Sequence, residues 1–326
     1  MKAALFRSPG DIAIVDKRIP SLGDNQVLLK IDYASICGTD KAIFDGNIPC
    51  KPVVLGHEFS GEVVKVGSKV KNIEVGSYCN VQPNIACGIC DICRKGNPNL
   101  CEYKVSHGIH IDGGFAEYCV VNQDLLFPIY GIPHIESPLI EPVACCLHGL
   151  KRCNPSIGED ALVIGGGFIG LVFLQLMKLR GLNVHLIEPN KKKRSLAKSL
   201  GAECVFESIS EVCDDFDIVV EAVGKIETVR NAFQVVGRGG TMLLFGVCPH
   251  SETLSFSPYE VWKKELRIVS SRSNGHNHFD AIRILSKLNL KDMITHVIEL
   301  KDIKRGFKLM DDNNHIKIVI HVSEAE

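Results

Sequence analysis

Val163-Ile164-Gly165-Gly166-Gly167-Phe168-Ile169-Gly170 is the stretch on which the fold turns. It holds G-x-G-x-x-G, with a short apolar run before it (161–164) and a helix-compatible run after it, to residue 179. In that setting each glycine has a task. Gly165 permits a tight turn, Gly167 lets backbone approach a pyrophosphate, and Gly170 lets a helix pack close on a strand. The helix start, at Phe168 and Ile169, offers unpaired N–H groups to phosphate oxygens. Glu188 follows Gly165 by 23 residues and ends the next apolar run, 184–187. A carboxylate at that place accepts hydrogen bonds from an adenosine ribose. The glycines alone also fit a simple turn, and Glu188 alone fits a solvated strand end. The strand–turn–helix–strand context selects dinucleotide binding. Glu188 would repel a 2′-phosphate, which favours NAD over NADP. Lys191, Lys192, Lys193 and Arg194 weaken that preference, because they read either as phosphate neutralisers or as solvated helix surface.

Beyond this turn the alternation continues. Residues 216–221, 242–245 and 266–269 read as strands, with helices over 191–200 and 227–236. Such alternation implies βαβ units and a parallel sheet. Before about residue 150 the character differs. Runs at 27–33, 61–66 and 115–121 are short, β-branched and punctuated by Gly and Pro, and Val66-Gly67-Ser68 reads as a turn between strands. After about Lys291 the chain closes on a strand-like run, 316–322, that extends no alternation and so is expected to return to the first domain. The expected class is α/β, with a β-rich domain of residues 1–141 and 291–326 and an α/β coenzyme domain of residues 142–290.

Composition narrows the partners. Thirty-seven Lys and Arg face 38 Asp and Glu, which excludes bulk electrostatic gripping of nucleic acid or anionic membrane. The N-terminal MKAALFRSPGDIAIV lacks the apolar core of a signal peptide. The most apolar stretch, 161–179, carries four glycines and is no membrane span. A small-molecule ligand and a reducing, cytoplasmic setting are expected. Fourteen cysteines in 326 residues are too many to ignore, in a chain too long for a small disulfide scaffold.

Four of them, Cys87, Cys90, Cys93 and Cys101, make C-x2-C-x2-C-x7-C. Four thiolates within 15 residues can enclose one ion with every position filled by protein, the mark of a structural zinc site. An iron–sulfur cluster is the rival, but the C-x3-C-P continuation of ferredoxin runs is absent. Gly88, Gly96, Asn97 and Pro98 supply the turns. A second set is dispersed: Cys37-Gly38-Thr39-Asp40, Gly56-His57-Glu58, and Glu141-Pro142 at a helix start over 143–151. Each piece alone is bland, as a buried thiol, a core imidazole or a helix cap. Together they could form an open zinc site.

These segments, with Asp112-Gly-Gly-Phe-Ala-Glu117, stand in the order found in the zinc-dependent medium-chain dehydrogenases, which the chain resembles over essentially its whole length. It is most similar to their polyol branch, the sorbitol, threonine and galactitol-phosphate dehydrogenases; Glu141 stands where classical alcohol dehydrogenases have Cys. The resemblance implies a GroES-like catalytic domain and a Rossmann coenzyme domain. It implies catalytic zinc near Cys37, His57, Glu58 and Glu141, the two glutamates exchanging with water. It places Thr39 against the reacting oxygen, and Val223, Gly224, Phe245, Gly246, Val247, Ser271 and Arg272 around the nicotinamide and its ribose. The implied activity is oxidation of an alcohol or polyol hydroxyl with hydride transfer to NAD, by a homodimer or homotetramer. Polyol-phosphate and amino-alcohol substrates fit the same chemistry, and a non-catalytic NAD sensor or a zinc-independent reductase are the remaining readings. The family often has His three residues after Thr39; here that residue is Ala42, so a Thr–ribose–His proton relay is truncated. His107, His110, Tyr118 and Arg272 are candidate substrate-facing side chains with an equal structural reading. The nine other cysteines are expected to be reduced thiols.

Overall fold

A computed structural model describes residues 1–322, so the last four residues of the expected 291–326 segment lie outside the described part. The chain divides into two units, Met1–Pro142 with His278–Glu326, and Val143–Asn277. The chain re-enters the first unit at His278, earlier than the sequence reading placed it. The reason is local: His278 and Phe279 both pack their rings on Phe127, and His278 Nε2 meets Asn80 Oδ1 at 2.8 Å.

The second unit is built on a six-stranded sheet whose strands, in chain order, are Asp160–Ile164, Asn183–Ile187, Val205–Phe206, Phe216–Glu221, Val236–Leu244 and Arg267–Ser270. Every pair is parallel, and the spatial order by chain position is 3-2-1-4-5-6. That order is the Rossmann one, with its reversal between the first and fourth strands. Ala161, Leu162, Val163 and Val219, Val220 are all fully buried, as expected of strands covered on both faces. The Val236–Leu244 strand is longer than the 242–245 run visible in the sequence, because Gly237, Gly239 and Gly240 disguise its first half.

The first unit holds a seven-stranded sheet, a three-stranded sheet and a two-stranded ribbon. Its axis is the Gln26–Ile36 strand, where Val27, Leu29 and Ile31 are buried at alternate positions. Such period-two burial belongs to a strand with one face on the core. Glu58–Val66 pairs antiparallel along one edge of it and Lys317–His321 along the other. Register sets the site: Ser35 stands opposite Glu58, and Ile36 opposite Ile318. Residues far apart in sequence therefore reach one end of one sheet. Phe6, Phe59, Phe115 and Phe307 fill the core beneath it. Among the described residues no helix is long and apolar enough to cross a membrane.

Candidate active site and coenzyme site

Cys37 ends the Gln26–Ile36 strand and caps the short Gly38–Phe44 helix. Asp40, three residues on, turns back so that its Oδ2 accepts from the Cys37 N–H at 2.9 Å, half of a capping box. Its Oδ1 accepts from Gly56 N at 3.3 Å and lies 3.4 Å from His57 Nδ1. Asp40 thus joins two segments nearly twenty residues apart, a role the sequence reading did not give it.

The His57 segment is fixed from its other side. Gly113 N donates to Val54 O, Phe115 N to Leu55 O and Gly114 N to Gly56 O, each within 3.0 Å. Gly56 has φ +91°, and a methyl there would sit 2.3 Å from the Phe115 ring. The Asp112-Gly-Gly-Phe motif is therefore a brace for the histidine. His107 belongs to the same brace, with Nδ1 2.9 Å from Asp112 O. Burial also lowers its pKa, which suits a structural imidazole. His110 accepts from Ser106 N within its own turn, at 3.1 Å.

One ligand atom from each of Cys37, His57 and Glu58 falls within 4.8 Å of the others. His57 and Glu58 are buried, and His57 Nδ1 and Glu58 Oε1 have no hydrogen-bond partner. Buried polar atoms left without a partner are expensive unless something binds them. Sulfur, imidazole nitrogen and carboxylate oxygen together suit zinc, and a three-residue set leaves a position open. The electrostatics agree. Burial opposes a charge on His57, yet Asp40 and Cys37 carry its pKa well above the usual range. Asp40 and Cys37 thus make the surroundings of His57 favourable to positive charge, in keeping with a cation site. Glu58 Oε2 accepts from Lys317 Nζ at 2.6 Å and from Ser35 Oγ. Burial would strip the Lys317 proton, but Glu58 and then Cys37 keep its pKa raised. Glu141 is also buried, in the first turn of the Ile140–Cys153 helix, and falls outside this three-residue cluster. Thr39 is half-buried, two residues beyond Cys37.

Cys87, Cys90, Cys93 and Cys101 converge in the same unit. The Cys87–Cys93 and Cys90–Cys101 sulfur pairs are each 4.0 Å apart. A tetrahedron with Zn–S of about 2.3 Å has edges of about 3.8 Å, and these two pairs are its opposite edges. Both are far too long for a disulfide. Gly88 and Gly96 take positive φ and turn the loop. Backbone N–H donation from Cys87 leads the effects that lower the Cys101 pKa, favouring the thiolate a metal needs.

In the second unit, Gly165 has φ +108°, and a methyl on Gly170 would lie 1.8 Å from Gly165 O. A methyl on Gly167 meets nothing within 4 Å. Two glycines are thus required by the chain itself, and the third leaves open space at the start of the Phe168–Leu179 helix. Glu188 is buried, accepting from Gly166 N through Oε2 and from Asn190 N through Oε1, each at 2.8 Å. Arg194 is committed to the carbonyls of Glu188 and Pro189 and to Glu207. Val223 and Gly224 donate their N–H groups to Glu221 Oε1, and Phe245 and Gly246 to the Glu221 carbonyl. Buried Glu221 therefore braces both loops, a role the sequence did not advertise. Val247 and Arg272 are exposed, and the buried Ser271 hydroxyl has no partner.

Comparison with known proteins places the chain. Residues 23–131 match the alcohol dehydrogenase GroES-like domain and residues 169–287 the zinc-binding dehydrogenase family. D-arabinitol dehydrogenase 1 of Uromyces fabae is 31% identical over 98% of this chain and 97% of its own. A zinc-binding dehydrogenase from Sinorhizobium meliloti, bound to NADP, superposes with TM-score 0.95 at 33% identity over 98% of each chain. An alcohol dehydrogenase from E. coli CFT073, complexed with NADH, gives 0.92 at 29% identity over 98% of this chain and 99% of its own. With GroES-like and Rossmann units, two convergent ligand clusters and these relatives, the chain is an oxidoreductase of alcohol CH–OH groups and belongs to the zinc-dependent medium-chain dehydrogenases.

Proposed function

We propose that this chain oxidises a secondary hydroxyl of a polyol or polyol-like alcohol to a ketone, with NAD as the hydride acceptor. The observation that carries the reading is the Cys37–His57–Glu58 cluster, whose ligand atoms lie within 4.8 Å of one another and whose Glu58 Oε1 is buried without a partner, a set that fits a zinc ion. Those three residues would hold the catalytic ion, with Glu141 as an exchangeable fourth donor, and the four-cysteine lobe a structural one. When bound, zinc supplies Lewis acidity toward the hydroxyl, and the nicotinamide ring takes up hydride. Asp40 orients His57. Thr39 holds the substrate hydroxyl and receives its proton, and with Ala42 in place of a relay histidine the proton leaves through Thr39 to solvent.

We assign catalysis to the first unit and coenzyme binding to the second. Gly165, Gly167 and Gly170 seat the pyrophosphate on the Phe168–Ile169 helix start. Val223, Gly224, Phe245, Gly246, Val247, Ser271 and Arg272 line the nicotinamide end. The preference for NAD rests on Glu188. Both its oxygens receive backbone N–H groups, which fix the carboxylate in place, and a carboxylate there repels a 2′-phosphate. Arg194 spends its guanidinium on the Glu188 and Pro189 carbonyls and on Glu207. Fourteen cysteines with no disulfide among them support a cytoplasmic location, and the family resemblance supports a homodimer or homotetramer. The test is a screen of NAD and NADP reduction across alcohols, polyols, polyol phosphates and amino alcohols, with zinc measured on the same sample. Equal turnover in zinc-free protein, or no turnover on any of them, overturns the reading.

A further inference from the structure

Lys317 is a buried cation that meets the cluster from a strand some 260 residues away in sequence. Its ammonium and the Ser35 hydroxyl both bind one oxygen of Glu58, Oε2, while Oε1 is buried without a partner. A lysine that served stability alone could pair with any carboxylate. This one pairs with a carboxylate that also lies in a ligand cluster, and it takes only half of it. We propose that Lys317 is a positioning residue of the metal site. It detains one oxygen of Glu58, so that the carboxylate cannot close on the ion with both and fill the position a substrate hydroxyl needs. The proposal rests on the reading above, that Cys37, His57 and Glu58 hold zinc.

Two physical arguments support it. A carboxylate engages an ion through both oxygens only if both are free to face it, and charge-assisted bonds of the Lys317 kind are the strong ones. Cys37, Asp40 and Glu58 also place three acidic groups around the cluster, and Lys317 offsets one of them. The same positive charge holds Glu58 Oε2 against the pull of a bound divalent ion and so competes with that ion for the carboxylate. Removing the ammonium should therefore let Glu58 clamp the metal. Replacing it with a guanidinium, whose fork matches both carboxylate oxygens, should pull Glu58 away from the metal.

The test compares full-length protein with Lys317→Met and Lys317→Arg. Three quantities are read: zinc per chain, the rate at which a chelator strips zinc, and visible absorption after cobalt substitution. A Cys37→Ala variant identifies the stripping phase that belongs to this site. Lys317→Met should slow that phase about tenfold and weaken the cobalt bands as coordination number rises, and Lys317→Arg should speed it about tenfold with the bands kept. A lysine that merely fills space would move both variants the same way, or neither, and either result overturns the tether. If one variant fails to fold, the direction of the other decides. Wild-type protein lacking any Cys37-dependent zinc phase overturns the zinc reading and the tether together, whereas that phase with same-direction changes overturns the tether alone.

Discussion

Gly167 and Gly170 lie within one turn of chain, and alanine at each asks a different question. At Gly170 the new methyl would stand 1.8 Å from the Gly165 carbonyl oxygen and 2.9 Å from its carbon. The obstacle is backbone, so the helix and strand must part by about 1.5 Å to reach normal contact. That belongs at the upper end of overpacking costs, about 3 kcal/mol, and lowers the unfolding midpoint by roughly 6–12 °C. At Gly167 the methyl meets nothing, and φ −74° with ψ −177° is extended backbone open to any residue. Alanine is a poorer helix cap than glycine by about 0.5–1 kcal/mol, but it removes a similar amount of unfolded-state entropy. Stability should therefore change by under about 0.5 kcal/mol. The methyl would still occupy the space a pyrophosphate needs, so NADH affinity should fall at least about tenfold, or 1.4 kcal/mol. Scanning calorimetry and NADH fluorescence titration read the two effects separately. Gly167→Ala protein that binds NADH like wild type refutes the coenzyme placement. Gly170→Ala protein with an unchanged midpoint refutes the close-packing argument.

Three further outcomes follow from the same geometry. Glu188→Ala should narrow the preference for NAD over NADP at least about tenfold in kcat/KM, and an unchanged ratio would remove Glu188 from coenzyme selection. Cys101→Ser should lose roughly one zinc per chain by elemental analysis and expose the 87–101 loop to protease, while full zinc retention argues against a four-thiolate site. Burial lowers the His278 pKa to about 3 from an ordinary 6.5, so the folded protein stays neutral there while the unfolded chain takes a proton. The stability this group contributes is present above pH 6.5 and lost as pH falls from there toward 3, at up to about 1.4 kcal/mol per pH unit. Urea titrations at pH 7 and pH 5 should show that slope reduced in His278→Gln, and parallel losses in both proteins would exclude His278 as its source.

What the sequence disclosed depended on how locally each feature is encoded. The Phe216–Glu221 strand and the glycine turn were legible because a strand buried on both faces is a continuous apolar run and the turn has fixed spacing. The four-cysteine lobe was legible because its ligands lie within one loop. The N-terminal hairpin, Lys2–Ser8 with Asp11–Asp16, passed unread because its short runs carry charges at both ends. Cys37, His57 and Glu58 could be suspected only as separate pieces, since strand register brings them together. Asp40 and Glu221 looked like ordinary acidic residues, and Lys317 like a charge at a strand end. The Asp40 contacts that join the two segments reach 16 and 17 residues ahead, to Gly56 and His57, and the Glu58 partner of Lys317 lies 259 residues away. For Glu221 the partners are near in sequence, but nothing in the residue types announces a carboxylate turned back on its own loop.

The register that sets Ile36 against Ile318 also imposes an order on biosynthesis. Residues 143–277 form a contiguous unit, so they can fold as soon as they leave the ribosome. The unit that carries Cys37, His57 and Glu58 cannot. Cys37, His57 and Glu58 are translated early, but the strand that brings Lys317 to them is made only after the whole coenzyme unit. For most of synthesis the thiolate, imidazole and carboxylate are held by an unfinished sheet with an open edge. Contacts of such sequence separation are slow to form and expose strand edges meanwhile. Closure of that sheet edge is thereby deferred until the last strand docks, and a nascent chain stalled before residue 317 would carry a folded second unit while the Glu58 carboxylate still lacked its lysine.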